Sequence, residues 1–144
     1  MRRAWREDVG QSVVEVALIL PLFVGVLLGG ADLARAFAVQ LAVQNGARAG
    51  AESYAIDSTP TTAEASAAAI AEIARTPTVQ GVNATVTVSE AQADGVTACV
   101  HPPPAANPCY VTVEVEYLFR TTIAWPLVPN QASFDRSTKF RMFY

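Results

Sequence analysis

Histidine, cysteine and charge are all scarce in this sequence. There is one histidine, His101, and there are two cysteines, Cys99 and Cys109. So thin an inventory excludes most catalytic constellations, and no Ser/His/Asp set or phosphate-binding glycine loop stands out. Charged residues make up 16% of the chain, against about 25% in an average soluble domain. The formal net charge of -3 leaves no basic face for nucleic acid, so no nucleic-acid partner is expected. Neither an enzyme nor a cofactor is expected. What the chain has in excess is apolar residues, at 51%, and they are unevenly placed.

The longest uncharged run is "VALILPLFVGVLLGGA", residues 16–31. Extended back to Ser12 it covers about 20 residues, or roughly 30 Å of helix, which matches a bilayer core. Arg2, Arg3 and Arg6 precede it, whereas Arg35 and Arg48 follow at wider spacing. Cationic flanks stay in the cytoplasm, so the N-terminus is expected inside and the C-terminal part outside.

Glu15, almost at the start of this run, is its anomaly. A carboxylate in hydrocarbon costs about 2.5 kcal/mol or more, so a span seldom keeps one without a use. A plain signal anchor gives it none. Nor does a secretory signal cut at "ARA", residues 34–36, which would place Asp32 and Arg35 in its cleavage region. A third reading starts from Gly10, five residues earlier, because this spacing resembles the type IV prepilin processing signal, in which a membrane peptidase cuts after the glycine. Cleavage there leaves a new α-amine on Gln11, one helical turn from Glu15. Pairing of Glu15 with that amine, on its own or a neighbouring subunit, removes the penalty and favours docking in register.

Past the run, Gly30, Ala34, Ala38, Ala42, Gly46 and Gly50 recur at every fourth position, and Gly25 and Gly29 form a GxxxG pair. Small residues at this spacing let helix backbones approach closely. The stripe fits either a helix lying on its own domain or a subunit–subunit surface, and alanine richness alone explains part of it. Leu33, Phe37 and Leu41 run beside it, and Pro21 removes one hydrogen bond within the helix.

These residues together carry a family resemblance. "GQSVVE" from Gly10, "ALILP", the exit through Asp32, Arg35, Ala36 and Phe37, and "NGARAGA" from Asn45 resemble the TadE-like family, minor pilins or pseudopilins of the tight-adherence pilus machinery. The resemblance spans residues 10–52. It implies membrane insertion with the C-terminal part outside, and a structural role in building an adhesive pilus. It also implies, in processed members, cleavage at the position of Gly10 by a prepilin-type peptidase. Pilins of these systems often place tyrosine directly after the glutamate; this chain has Val16.

The remainder changes character. After the loop-like "SYAIDSTPTT", Thr61 and Glu64 make a capping-box pattern that opens an alanine-rich helix ending at Arg75. The period then becomes two. Val82, Ala84, Val86 and Val88 share one face; Val111, Val113, Val115, Tyr117 and Phe119 share another; a third alternating run begins at Phe134. Between the first two runs, Cys99 and Cys109 flank "VHPPPAANP" in a region expected outside the cytoplasm, where a disulfide between them would persist. A metal set of Cys99, His101 and Cys109 lacks a fourth ligand, and His101 reads as a solvated loop residue. "NAT" at Asn83 matches a glycosylation sequon by coincidence, and Glu114 with Glu116 reads as a wetted strand face.

The expected fold is α+β: a long N-terminal transmembrane helix, a pilin-like stem, then a small extracytoplasmic domain with a short helix and an antiparallel sheet of about three strands. The expected organisation is a cytoplasmic leader over 1–10, a helix over 11–53 with its span at about 12–31, and a head over 54–144. The expected function is a pilin-like subunit that assembles or anchors a tight-adherence pilus, with the lipid bilayer and other pilus-assembly membrane subunits as partners. The competing reading is a signal-anchored binding module outside any pilus.

Overall fold

A computed structural model describes residues 4–126 and 128–143. Arg2 and Arg3, used above to orient the chain, lie outside the described residues, as does the side chain of Arg6. The layout is α+β, as expected. Helix α1 covers Ala4–Ile56 and α2 covers Thr62–Ala74. After a short 3-10 turn at Gly81–Asn83 come β1 (Ala84–Gln92), β2 (Cys109–Arg120) and β3 (Gln131–Arg141). The three strands form one antiparallel sheet in the order β1-β2-β3.

The chain separates into two compact units that meet in sequence at Ala34 and Arg35. In the first, residues 16–31 of α1 carry no charged side chain and are largely uncovered. Val13, Leu18, Ile19, Leu22 and Phe23 are each at least 58% exposed. A helix apolar all round has no stable place in water, so its surroundings must be lipid or other helices. Its most apolar window has a mean hydropathy of 2.4 and no buried share. By length and composition it is the one helix among the described residues able to cross a membrane, as a single span.

The second unit has a small core built mostly from Ala and Val. On β2, Val111, Val113 and Val115 are fully buried, with Tyr117 and Phe119 continuing the face. The alternation read from the sequence is therefore the burial pattern of the central strand. Helix α2 faces inward with Ala65, Ala69 and Ile73. Thr61 caps it: its Oγ1 accepts from the Glu64 amide (3.2 Å), the N-cap bond the sequence pattern predicts, and its hydroxyl donates to Glu64 Oε2 (2.6 Å). From Val39 onward α1 adds Ala42, Val43, Ala47, Ala51, Tyr54 and Ala55 to the same core.

Val82 departs from its expected place. It lies in the 3-10 turn rather than in β1 and is 83% exposed, so the first strand's inner face starts at Ala84. The chain end is tied in by backbone bonds: Met142 N donates to Cys109 O (2.9 Å) and Phe143 N to Ala55 O (3.2 Å). The β1–β2 connection turns at Asp94, where Gly95 adopts φ +76°. Hydrogen bonds from the Thr97 hydroxyl and amide and the Val96 amide hold the Asp94 carboxyl down at about 2.

Candidate functional site

The residues singled out at the start of the apolar run sit on one continuous helix. Gly10, Gln11 and Glu15 are all exposed on α1. Gln11 Nε2 donates to Glu15 Oε1 at 3.1 Å, the contact that residues four apart on a helix are placed to make. The Glu15 carboxylate thus reaches back to position 11, where cleavage would leave an amine. Nothing stands within 4 Å of a Cβ built at Gly10. Glycine inside a helix weakens it by about 1 kcal/mol relative to alanine, which favours local opening of the backbone there.

The small-residue stripe divides in two. Gly46 and Gly50 are buried beneath α2. A Cβ on Gly50 would lie 2.9 Å from the Ala65 carbonyl oxygen, 3.1 Å from Ala69 Cβ and 3.2 Å from Val113 Cγ1. One on Gly46 would lie 2.5 Å from Ile73 Cγ1 and 3.1 Å from Ala69 O. Ala42 is likewise in this core, and Ala38 is half-buried. Along this half the stripe lets α1 and α2 touch within one domain. By contrast, Gly25 and Gly30 have nothing within 4 Å of a built Cβ, Gly29 is half-buried, and Ala34 is exposed. Beside the stripe, Leu33, Phe37 and Leu41 are each about 60% exposed, an apolar row one turn apart along the helix.

Cys99 and Cys109 are bonded to each other, with Cα atoms 5.7 Å apart. Both sulfurs are used in that bond, which takes them out of any metal-ligand set. His101, within the bridged loop, has a partner that the sequence did not reveal. Its Nε2 lies 3.1 Å from Glu90 Oε2 on β1, and Tyr54 Oη of α1 donates to the same oxygen at 3.0 Å. A helix end, a strand and the disulfide loop therefore meet at one carboxylate. Burial, then the hydrogen bond to Glu90 and its charge, push the Tyr54 hydroxyl up to about 12. In the sequence these three residues are 36 and 11 positions apart, with no shared pattern to connect them.

Glu114 and Glu116 lie on the exposed face of β2, and Glu116 stands opposite Asp135 of β3. Like charges placed so disfavour pairing by a fraction of a kcal/mol, and solvent screens them. Among the described residues no group of three or more His, Cys, Asp or Glu is placed to hold a metal ion.

Neither the curated proteins nor the solved structures contain a match to the chain. A protein-family match falls on the helix and stops short of α2 and the sheet. Residues 10–52, from the glycine before Glu15 to the helix turn below Gly50, match the family described as TadE-like protein, so the greater part of α1 is a TadE-like segment.

Proposed function

We propose that this protein is a membrane-anchored, pilin-class structural subunit that takes part in assembling or anchoring a tight-adherence pilus. The observation that carries the reading is the placement of Gly10, Gln11 and Glu15 at the mouth of an uncovered apolar helix inside a TadE-like segment. A prepilin-type peptidase removes residues 1–10, and the freed Gln11 amine becomes the partner of Glu15. The side-chain bond from Gln11 to Glu15 supports this geometry, since the carboxylate already reaches that turn. The N-terminus faces the cytoplasm and the α+β head lies outside it.

Subunit packing uses the part of α1 that its own domain leaves uncovered. Gly25, Gly29, Gly30 and Ala34 provide close approach within the bilayer, and Leu33, Phe37 and Leu41 provide an apolar row beyond it. Ala42, Gly46 and Gly50 are already used inside the head and are not part of that surface.

The test has two readouts. Intact mass of the membrane-resident protein, made with its own system's peptidase, is expected to give a chain starting at Gln11; a chain starting at Met1 would contradict processing. Glu15→Gln keeps the side chain's size and removes its charge. Its expected phenotype is normal membrane insertion with pilus assembly reduced tenfold or more, taking the loss of one buried ion pair as several kcal/mol. Unchanged assembly would refute the role given to Glu15.

A further inference from the structure

Arg35 stands four residues past Ala31, the last residue of the uncharged run. Four residues reach at most about 14 Å even when fully extended, so Arg35 stays close to wherever that run leaves the bilayer. The second unit builds a definite structure around it. The Arg35 guanidinium lies over the Phe119 ring, 5.4 Å from its centroid, and its Nη1 donates to Thr122 Oγ1. Thr122 belongs to the β2–β3 connection, "TTIAWPLVPN", residues 121–130.

That connection is apolar, yet it is held. Thr121 N donates to Asn130 O (3.1 Å), Trp125 N donates to Asn130 Oδ1 (2.6 Å), and Asn130 Nδ2 donates to Trp125 O (3.3 Å). Asn130 thereby closes the base of the loop while Ile123 and Val128 remain 36% and 60% exposed. Beside it opens a cleft of about 610 Å³ that includes Arg35, Thr78, Gln80, Asn83 and Arg120 in its lining and no carboxylate. Arg120 is exposed, and its side chain makes no hydrogen bond or ion pair among the described residues. Asp32, three residues before Arg35 on α1, is itself buried. Arg120 is therefore the more exposed of the two cations that line the cleft.

We propose that this end of the head is a phospholipid-binding foot. Ile123, Trp125 and Val128 rest in the boundary between headgroups and acyl chains, and the cleft between Arg35 and Arg120 takes a headgroup phosphate. The proposal rests on the reading of α1 as a membrane span. Tryptophan favours that boundary because its ring is apolar and its N–H polar. Guanidinium groups match phosphate oxygens in a bidentate fork, and Gln80 and Asn83 add neutral donors. A lipid uses both halves of this surface at once; a free phosphate leaves the exposed apolar loop without a role.

The experiment uses the full chain carrying Trp5→Phe, so that Trp125 is the remaining one of two tryptophans. It is reconstituted into vesicles of phosphatidylcholine with phosphatidylglycerol, and flotation shows whether the helix holds it there. Nitroxide-labelled lipids, marked near the headgroup or at the chain end, then report depth. The expected result is Trp125 quenching at least about twofold stronger from the shallow label, as its interfacial preference requires. Arg120→Gln is expected to halve, or more, the phosphatidylglycerol retained in native mass spectra while leaving the head's melting temperature unchanged. A chain that floats but shows no quenching from either label overturns the foot and leaves the span standing. A chain that fails to float removes the span, and the foot with it. Inorganic phosphate added to detergent-solubilised protein is expected to leave Trp125 emission unaltered; a response to phosphate alone, with none to vesicles, reassigns the cleft to the free ion.

Discussion

Gly50 and Gly30 are the same residue type on the same helix, and their surroundings give them opposite consequences. Substituting alanine gains about 1 kcal/mol of helix propensity at either site. At Gly50 the added methyl meets a backbone carbonyl at 2.9 Å, where little can yield, and overpacking costs about 1–3 kcal/mol. Gly50→Ala is therefore expected to lower the head's stability in a denaturant melt. Gly30→Ala, with open space around it, is expected to leave that melt unchanged and to act only on assembly. Equal melts for the two variants would contradict the packing described for Gly50. Tyr54 gives a second prediction at this scale. Its hydroxyl ionises near 10 when unfolded and near about 12 in the native state. The folded form thus favours the neutral phenol, and the stability this brings is complete below pH 10. Between pH 10 and 12 the unfolded chain loses the proton first, so stability falls by up to about 3 kcal/mol. Tyr54→Phe, measured over the same range, is expected to lack this part of the decline.

The elements differ in how much of them was legible from their residues. The strict alternation in "YVTVEVEYLF" marks β2 because the central strand buries one face completely, and Thr61 with Glu64 marks the start of α2 through hydrogen bonds only three residues apart. The boundary of β1 was harder to read, since Val82 fits the alternation while the turn at Gly81 carries it into solvent. The β1–β2 connection is the element whose contribution is most readily measured. Its disulfide closes a short loop, with a sequence separation of 10, and is worth about 2–3 kcal/mol in the chain-entropy model. Replacing Cys99 and Cys109 together by serine is expected to lower the head's melting temperature by roughly 10–20 °C. A drop of only a degree or two would mean that the bridge restrains little of the unfolded chain.

For the whole molecule, the consequential feature is that α1 has two solvents. Through residues 16–31 it is apolar and largely uncovered; from Val39 its inner face is the wall of a small protein core. The helix is thus an anchor at one end and a structural element of the head at the other. A fragment beginning at Arg35 keeps Val39, Ala42, Val43, Ala47 and Ala51, and is expected to fold with a single cooperative melt in detergent-free buffer. One beginning at Tyr54 lacks that wall, exposes Val111, Val113 and Val115, and is expected to be unfolded or aggregated. Circular dichroism of the two fragments decides the matter, and equal folding would place the helix outside the core.

The amino-acid sequence by itself determined the span, the capped helix, the alternating strands and the TadE-like segment, because each rests on interactions within a few residues or on local periodicity. It also presented Gly10 and Glu15 together, since their spacing resembles a processing signal. Tertiary structure alone decided which end of the small-residue stripe is already covered, because Gly30 and Gly50 look alike until α2 folds over one of them. The meeting of Tyr54, Glu90 and His101 at one carboxylate depends on strand pairing, which no local pattern encodes. So does the cleft between Arg35 and Arg120, formed where residues 85 positions apart in the chain are brought to the same end of the sheet.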